Sequence, residues 1–114
     1  MKPDFNEIFD ELKKGASELS SSTLNEYKDE AEADLKDFLS DSKASLERWT
    51  LLLASGDLTK KDFEWLVQSQ KDLLVMKALS QAGLSKIRLD QFKTGSINLV
   101  IGTILNKISK PEQE

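Results

Sequence analysis

Residues 23–56 read TLNEYKDEAEADLKDFLSDSKASLERWTLLLASG, and the spacing of their apolar positions decides the fold. Leu24, Tyr27 and Ala31 are followed by Leu35, Phe38 and Ser42, then by Leu46, Trp49 and Leu53. The steps of three, four and four make an 11-residue repeat. Its mean period of about 3.67 residues per turn is close to that of a straight helix with slight right-handed supercoil. A strict heptad seam would instead bury Lys28 and Ser45. The stretch therefore predicts a long bundle helix over about 24–55, not a leucine zipper. Thr23 and Glu26 have capping-box spacing at its start, and Gly56 supplies its stop.

Upstream, Asp4 and Glu7 open a short first helix over about 4–14 that places Phe5, Ile8, Phe9 and Leu12 on one stripe. Gly15 reads as the residue that ends it, and the Ser-rich stretch 15–23 as a flexible connection. Downstream, Thr59 and Asp62 match a capping box, with Leu58 and Phe63 in the hydrophobic-staple positions of a third helix over about 60–82. Its inward candidates are Phe63, Leu66, Val67, Gln70, Leu73, Leu74 and Ala78. Gly83 closes it, with Leu84 placed to meet Leu79 as in a Schellman motif. Ser85 then caps a fourth helix over about 86–108, carrying Ile87, Leu89, Phe92, Ile97, Val100, Ile101, Ile104 and Ile108 inward. The polar tail 109–114 is expected to fray.

Short links after Ser55 predict antiparallel neighbours, so the fold class is an all-α antiparallel helical bundle built on a long helical hairpin. At about 1.5 Å per residue the second helix spans roughly 48 Å and the third roughly 35 Å. The overhang around Leu24–Leu35 can be covered by the first helix or by another copy of the chain.

With 114 residues, 39% hydrophobic and 32% charged, the chain reads as a single globular domain over 1–114. Pro3 and Pro111 lie at its ends, leaving glycine as the only interior helix breaker. Cysteine and histidine are both absent, which removes disulfides, thiolate chemistry, the commonest general base and the commonest metal ligand. The acidic run Glu26, Asp29, Glu30, Glu32, Asp34, Asp37 and Asp41 has no Glu-x-x-His partner set and no EF-hand spacing. It reads as a solvated helix face. No catalytic constellation, metal site or cofactor motif emerges, and the expectation is a non-enzymatic protein without cofactor. Met1-Lys2-Pro3-Asp4 leads into an amphipathic segment, not an apolar leader, and no apolar run reaches the roughly 20 residues that span a bilayer. A cytoplasmic location is the default.

Charge is uneven. Residues 1–47 hold 13 acidic side chains against 6 lysines, net −7, and residues 48–114 hold 7 against 10, net +3. Complementary faces that pair within or between chains account for this more simply than a nucleic-acid surface does. The segment 79–93 superficially resembles a helix-turn-helix, with Lys86, Arg88, Gln91 and Lys93 on a recognition helix. Leu79 stands where a small residue is usual, and the preceding helix is too long for that motif. An ordinary helical hairpin is the simpler reading.

The stretch 96–108, SINLVIGTILNKI, carries apolar residues around most of its circumference, and Gly95 and Gly102 share one side of it. Such excess predicts either a fully enclosed helix or a self-association surface. The contact residues expected from it are Ile97, Val100, Ile101, Ile104 and Leu105, joined by Trp65 and Met76 on a second strip of the third helix. The functional expectation is a protein-protein interaction or assembly module that forms a homo-oligomer, a dimer or larger, or binds another protein. DNA binding around 79–93 and membrane-surface or lipid association are the alternatives, and the flanks lack the strongly basic face the latter uses.

Overall fold

The computed structural model describes residues 4–109, and every regular element among them is helical. Helix α1 (Phe5–Thr23) leads through a 3₁₀ turn at Asn25–Tyr27 into α2 (Lys28–Ser55). Helix α3 (Lys60–Ser69) is followed by a second 3₁₀ turn at Gln70–Leu73, an extended stretch and the short α4 (Lys77–Gln81); α5 (Lys86–Ser109) completes the bundle. The tail beyond Ser109, read as fraying, lies outside the described residues.

Four arms pack up-down-up-down: α1, α2, a third arm made of α3 and α4, and α5. Close approaches of Gly15 to Leu99 and of Leu19 to Gly95 set α5 antiparallel to α1. Ser17 meeting Glu32 and Lys43 meeting Phe9 set α2 antiparallel to α1 as well. The third arm lies between α2 and α5. At about 1.5 Å rise, the 28 residues of α2 reach roughly 42 Å, nearly the whole 45 Å long axis of the molecule.

The 11-residue repeat holds within α2 from Ala31 onward: Ala31, Leu35, Phe38, Ser42 and Leu46 are buried, and Trp49 and Leu53 are half-buried against the core. Its first two members precede the helix, Leu24 buried as the C-cap of α1 and Tyr27 half-buried in the 3₁₀ turn, so α2 starts at Lys28 and not at about 24. The end signals hold where they are local. Asp4 accepts from the Asn6 N–H at 3.0 Å, and Thr59 Oγ1 accepts from the Asp62 N–H at 3.0 Å. Gly56 and Gly83 take left-handed φ of 86° and 94°. The Leu84 N–H reaches the Leu79 carbonyl at 3.2 Å while Gly83 reaches Ser80 at 3.1 Å, the paired bonds of a Schellman motif.

Three expectations are corrected. Gly15 does not end the first helix, and 15–23 is no connection: α1 continues unbroken to Thr23. The reason is tertiary. A Cβ on Gly15 would lie 2.8 Å from Leu99 Cδ1, so glycine here opens a seat for α5. Ala16 and Ser20 are buried in the same stretch, the Ser20 hydroxyl donating to the Ala16 carbonyl at 2.8 Å. The Thr23–Glu26 capping box does not open α2 either, because Thr23 still belongs to α1 and Leu24 caps that helix through the Ser20 carbonyl.

The third correction matters most. The helix expected over 60–82 breaks between Ser69 and Lys77 without a glycine or proline. Asp34, buried at 4% exposure on α2, accepts the N–H of Ala78 at 2.9 Å and of Leu79 at 2.8 Å. Those amides start α4 and have no carbonyl one turn back, so a carboxylate from another arm supplies the missing cap. The break also solves a packing problem. Leu74 and Met76 are about 200° apart on a continuous helix and cannot share one face. In the extended stretch they alternate inward, at 1% and 3% exposure, and Leu79 joins them.

Replacing Asp34 with Ala leaves two amides unpaired in the interior and is expected to cost about 3 kcal/mol in urea unfolding. Hydrogen exchange at Ala78 and Leu79 is expected to speed up more than exchange in α1. At Gly102, inside α5, nothing lies within 4 Å of an added Cβ. Gly102→Ala is therefore expected to stabilise the fold by roughly 0.5–1 kcal/mol through helix propensity alone, seen as a raised thermal midpoint.

Candidate functional site

The α5 residues expected to form a contact surface are mostly inside the chain. Ile97, Val100 and Ile104 are buried, and Ile101 and Leu105 are half-buried against the core. Their excess circumference faces α1 on one side and α3 on the other. Gly95, expected to admit a neighbouring helix, does so within the chain, where an added Cβ would lie 3.8 Å from Leu19 Cδ2 of α1. Met76, the other strip residue, is buried beside Leu74. These placements correct the expected α5 surface. Of the seven expected contact residues only Trp65 stands clear, at 67% exposure on α3 opposite the buried Phe63 and Val67.

No group of three or more carboxylates among the described residues is placed to hold a metal ion. Ser55 donates to Asp57 Oδ2 in the turn after α2, and between helices Ser17 of α1 donates its hydroxyl to Glu32 Oε2 of α2. That bond lowers the Glu32 pKa from its ordinary 4.5; desolvation opposes the shift and Lys36, 3.5 Å away, adds to it. The bond between Ser17 and Glu32 fastens α1 to α2.

Of the residues placed on a recognition helix, Lys86 and Gln91 are exposed, while Arg88 is engaged within the chain. Arg88 Nη2 lies 3.3 Å from Glu26 and its guanidinium 5.9 Å from the Tyr27 ring centroid, so it bridges α5 to the start of α2. Lys93 is half-buried, and α4, with five residues, is far shorter than the first helix of a DNA-reading pair.

What stands exposed was not expected. Leu73 and Val75, at 68% and 72% exposure, protrude where the third arm breaks. Leu73 was assigned inward on a continuous helix; unwinding turns it outward, while Leu74 and Met76 turn in. Ile87, also assigned inward, is 73% exposed in the first turn of α5. Three of the four large exposed apolar residues thus lie on the third arm. The Val75 N–H and C=O make no hydrogen bond to any described residue.

A shallow groove runs along each side of Val75. The α2 side is lined by Asp37, Asp41, Gln70 and Leu73, with Phe38 at its floor. The α5 side is lined by Asp72, Lys77, Gln81, Leu89 and Lys93. None of Asp37, Asp41, Lys77 and Lys93 is in an ion pair among the described residues, whereas Lys71 and Asp90 pair at 3.0 Å nearby. A sequence signal for this surface exists. Leu73-Leu74-Val75-Met76 is four large apolar residues in a row, more than one stripe of an amphipathic helix can bury.

Glu32 yields a pH test. Its folded-state pKa is depressed, so its contribution to stability is fully present above the unfolded value and is lost as pH falls through the folded one. In Ser17→Ala the Glu32 midpoint, followed by carboxyl NMR, is expected to move up toward 4.5, and the acid loss of stability to become shallower. No family model, curated protein or solved structure matches this chain.

Proposed function

We propose that this chain is a non-enzymatic helical assembly module that binds protein, in the first place another copy of itself, through the break in its third arm. The observation that carries the reading is the protrusion of Leu73 and Val75 from a segment whose inward residues, Leu74 and Met76, are fixed in the core. Exposed apolar side chains on an anchored backbone lose little entropy on docking, which is the condition for a productive contact. Trp65 on the same arm adds a residue type that often dominates contact energies. The reading keeps the expected assembly role and moves its surface from α5 to the third arm.

Light scattering coupled to size exclusion tests it. The unaltered chain is expected to increase in mass with concentration, and Leu73→Asp with Val75→Asp to remain a monomer. Both positions are exposed, so the variant is expected to keep its stability within about 0.5 kcal/mol. A strict monomer at every concentration of the unaltered chain overturns the proposal.

A further inference from the structure

We infer that two copies pair about a two-fold axis running along the third arm, with Asp37 and Asp41 of each copy facing Lys77 and Lys93 of the other; this rests on the proposed self-assembly through Leu73 and Val75. The starting point is the lateral order of charge on the exposed surface. Asp37 and Asp41 lie on the α2 side of Val75, and Lys77 and Lys93 lie on the α5 side with a single carboxylate, Asp72, so that the α2 flank is net acidic and the α5 flank net basic, with the apolar ridge between them. None of the four side chains Asp37, Asp41, Lys77 and Lys93 has an ion-pair partner among the described residues. Lys93 is half-buried and the other three are exposed.

A two-fold contact uses the same patch on both copies, so the patch must be complementary to itself. Symmetry then allows two simple arrangements. An axis lying in the contact plane and running across the arm sets the two arms antiparallel and places α2 side on α2 side. Asp37 and Asp41 would meet their own counterparts, and so would the lysines; like charges in apposition weaken such a contact. An axis running along the arm sets the arms parallel and exchanges left for right. Each acidic flank then meets a basic flank, twice by symmetry, while Leu73 and Val75 meet their counterparts near the axis.

The uneven charge of the chain takes on a role in this arrangement. The acidic first half supplies one flank through α2, and the basic second half supplies the other through α4 and α5. Neither pair of charges is matched among the described residues, and the pairing of copies matches both.

Charge reversal tests the register. Asp37→Lys with Asp41→Lys makes both flanks basic, and Lys77→Glu with Lys93→Glu makes both acidic. Each variant alone is expected to self-associate at least about tenfold more weakly than the unaltered chain in light scattering at low salt. An equimolar mixture of the two is expected to recover a species of twice the monomer mass, since every basic flank again meets an acidic one. Circular dichroism checks that both variants are folded. A dimer of unaltered strength in both single variants, or a mixture that stays monomeric, overturns the register while the self-assembly reading stands. Growth of the mixture beyond a dimer overturns the two-fold axis in favour of head-to-tail assembly. A monomeric unaltered chain overturns the self-assembly reading itself.

Discussion

The Asp34 carboxylate reaches from the middle of α2 to the Ala78 and Leu79 amides, and the form of the third arm depends on that contact. A buried acceptor needs donors, and the amides at the start of a helix are donors without a partner in their own chain segment. Placing one against the other satisfies both. It does so only if the third arm starts a new helix at Lys77, so the arm stops at Ser69, turns through Gln70–Leu73 and extends before restarting. The break is thus a consequence of where one carboxylate sits on a different helix. From it follow the inward alternation of Leu74 and Met76 and the outward display of Leu73 and Val75.

The rest of the bundle accommodates small polar residues by the same economy. Ser20, Thr50 and Ser96 are each fully buried, and each donates its hydroxyl to the carbonyl four residues earlier in its own helix. Side chains of this size let the arms approach, and their local bonds leave no buried polar atom without a partner among the described residues. Glycine serves a related purpose at Gly15, where the missing Cβ receives Leu99, and at Gly95, where Leu19 packs. The wide apolar circumference of α5 is covered in this way on the α1 side, and by the third arm on the other. A helix apolar nearly all round is buried, and this one is mostly enclosed.

Enclosure of α5 changes where a partner can bind. Contact surfaces need apolar side chains that the fold does not use, and here those are Trp65, Leu73, Val75 and Ile87. Around Val75, Asp37 and Asp41 flank the apolar residues on the α2 side and Lys77 and Lys93, with Asp72, on the α5 side. That order distinguishes one symmetric pairing from another, which apolar area by itself does not do.

The all-α class, the long second helix with its 11-residue repeat, the Thr59 cap, the Gly56 and Gly83 stops and the Schellman turn at Leu84 were legible in the sequence by itself. Each depends on residues within about a turn or two of one another, or on a period that a single helix imposes. What only the tertiary structure decided involves residues far apart along the chain. Gly15 reads locally as a helix end, and only Leu99 of α5 shows why the helix passes through it. Asp34 reads as one more carboxylate on a solvated face, and only the amides 44 and 45 residues downstream give it a buried role. Local rules count a residue's neighbours in sequence, whereas a cap supplied from a distant helix or a seat for a side chain depends on neighbours in space. The exposed ridge at Leu73 and Val75 belongs to the second kind, because it exists only once Asp34 has broken the arm.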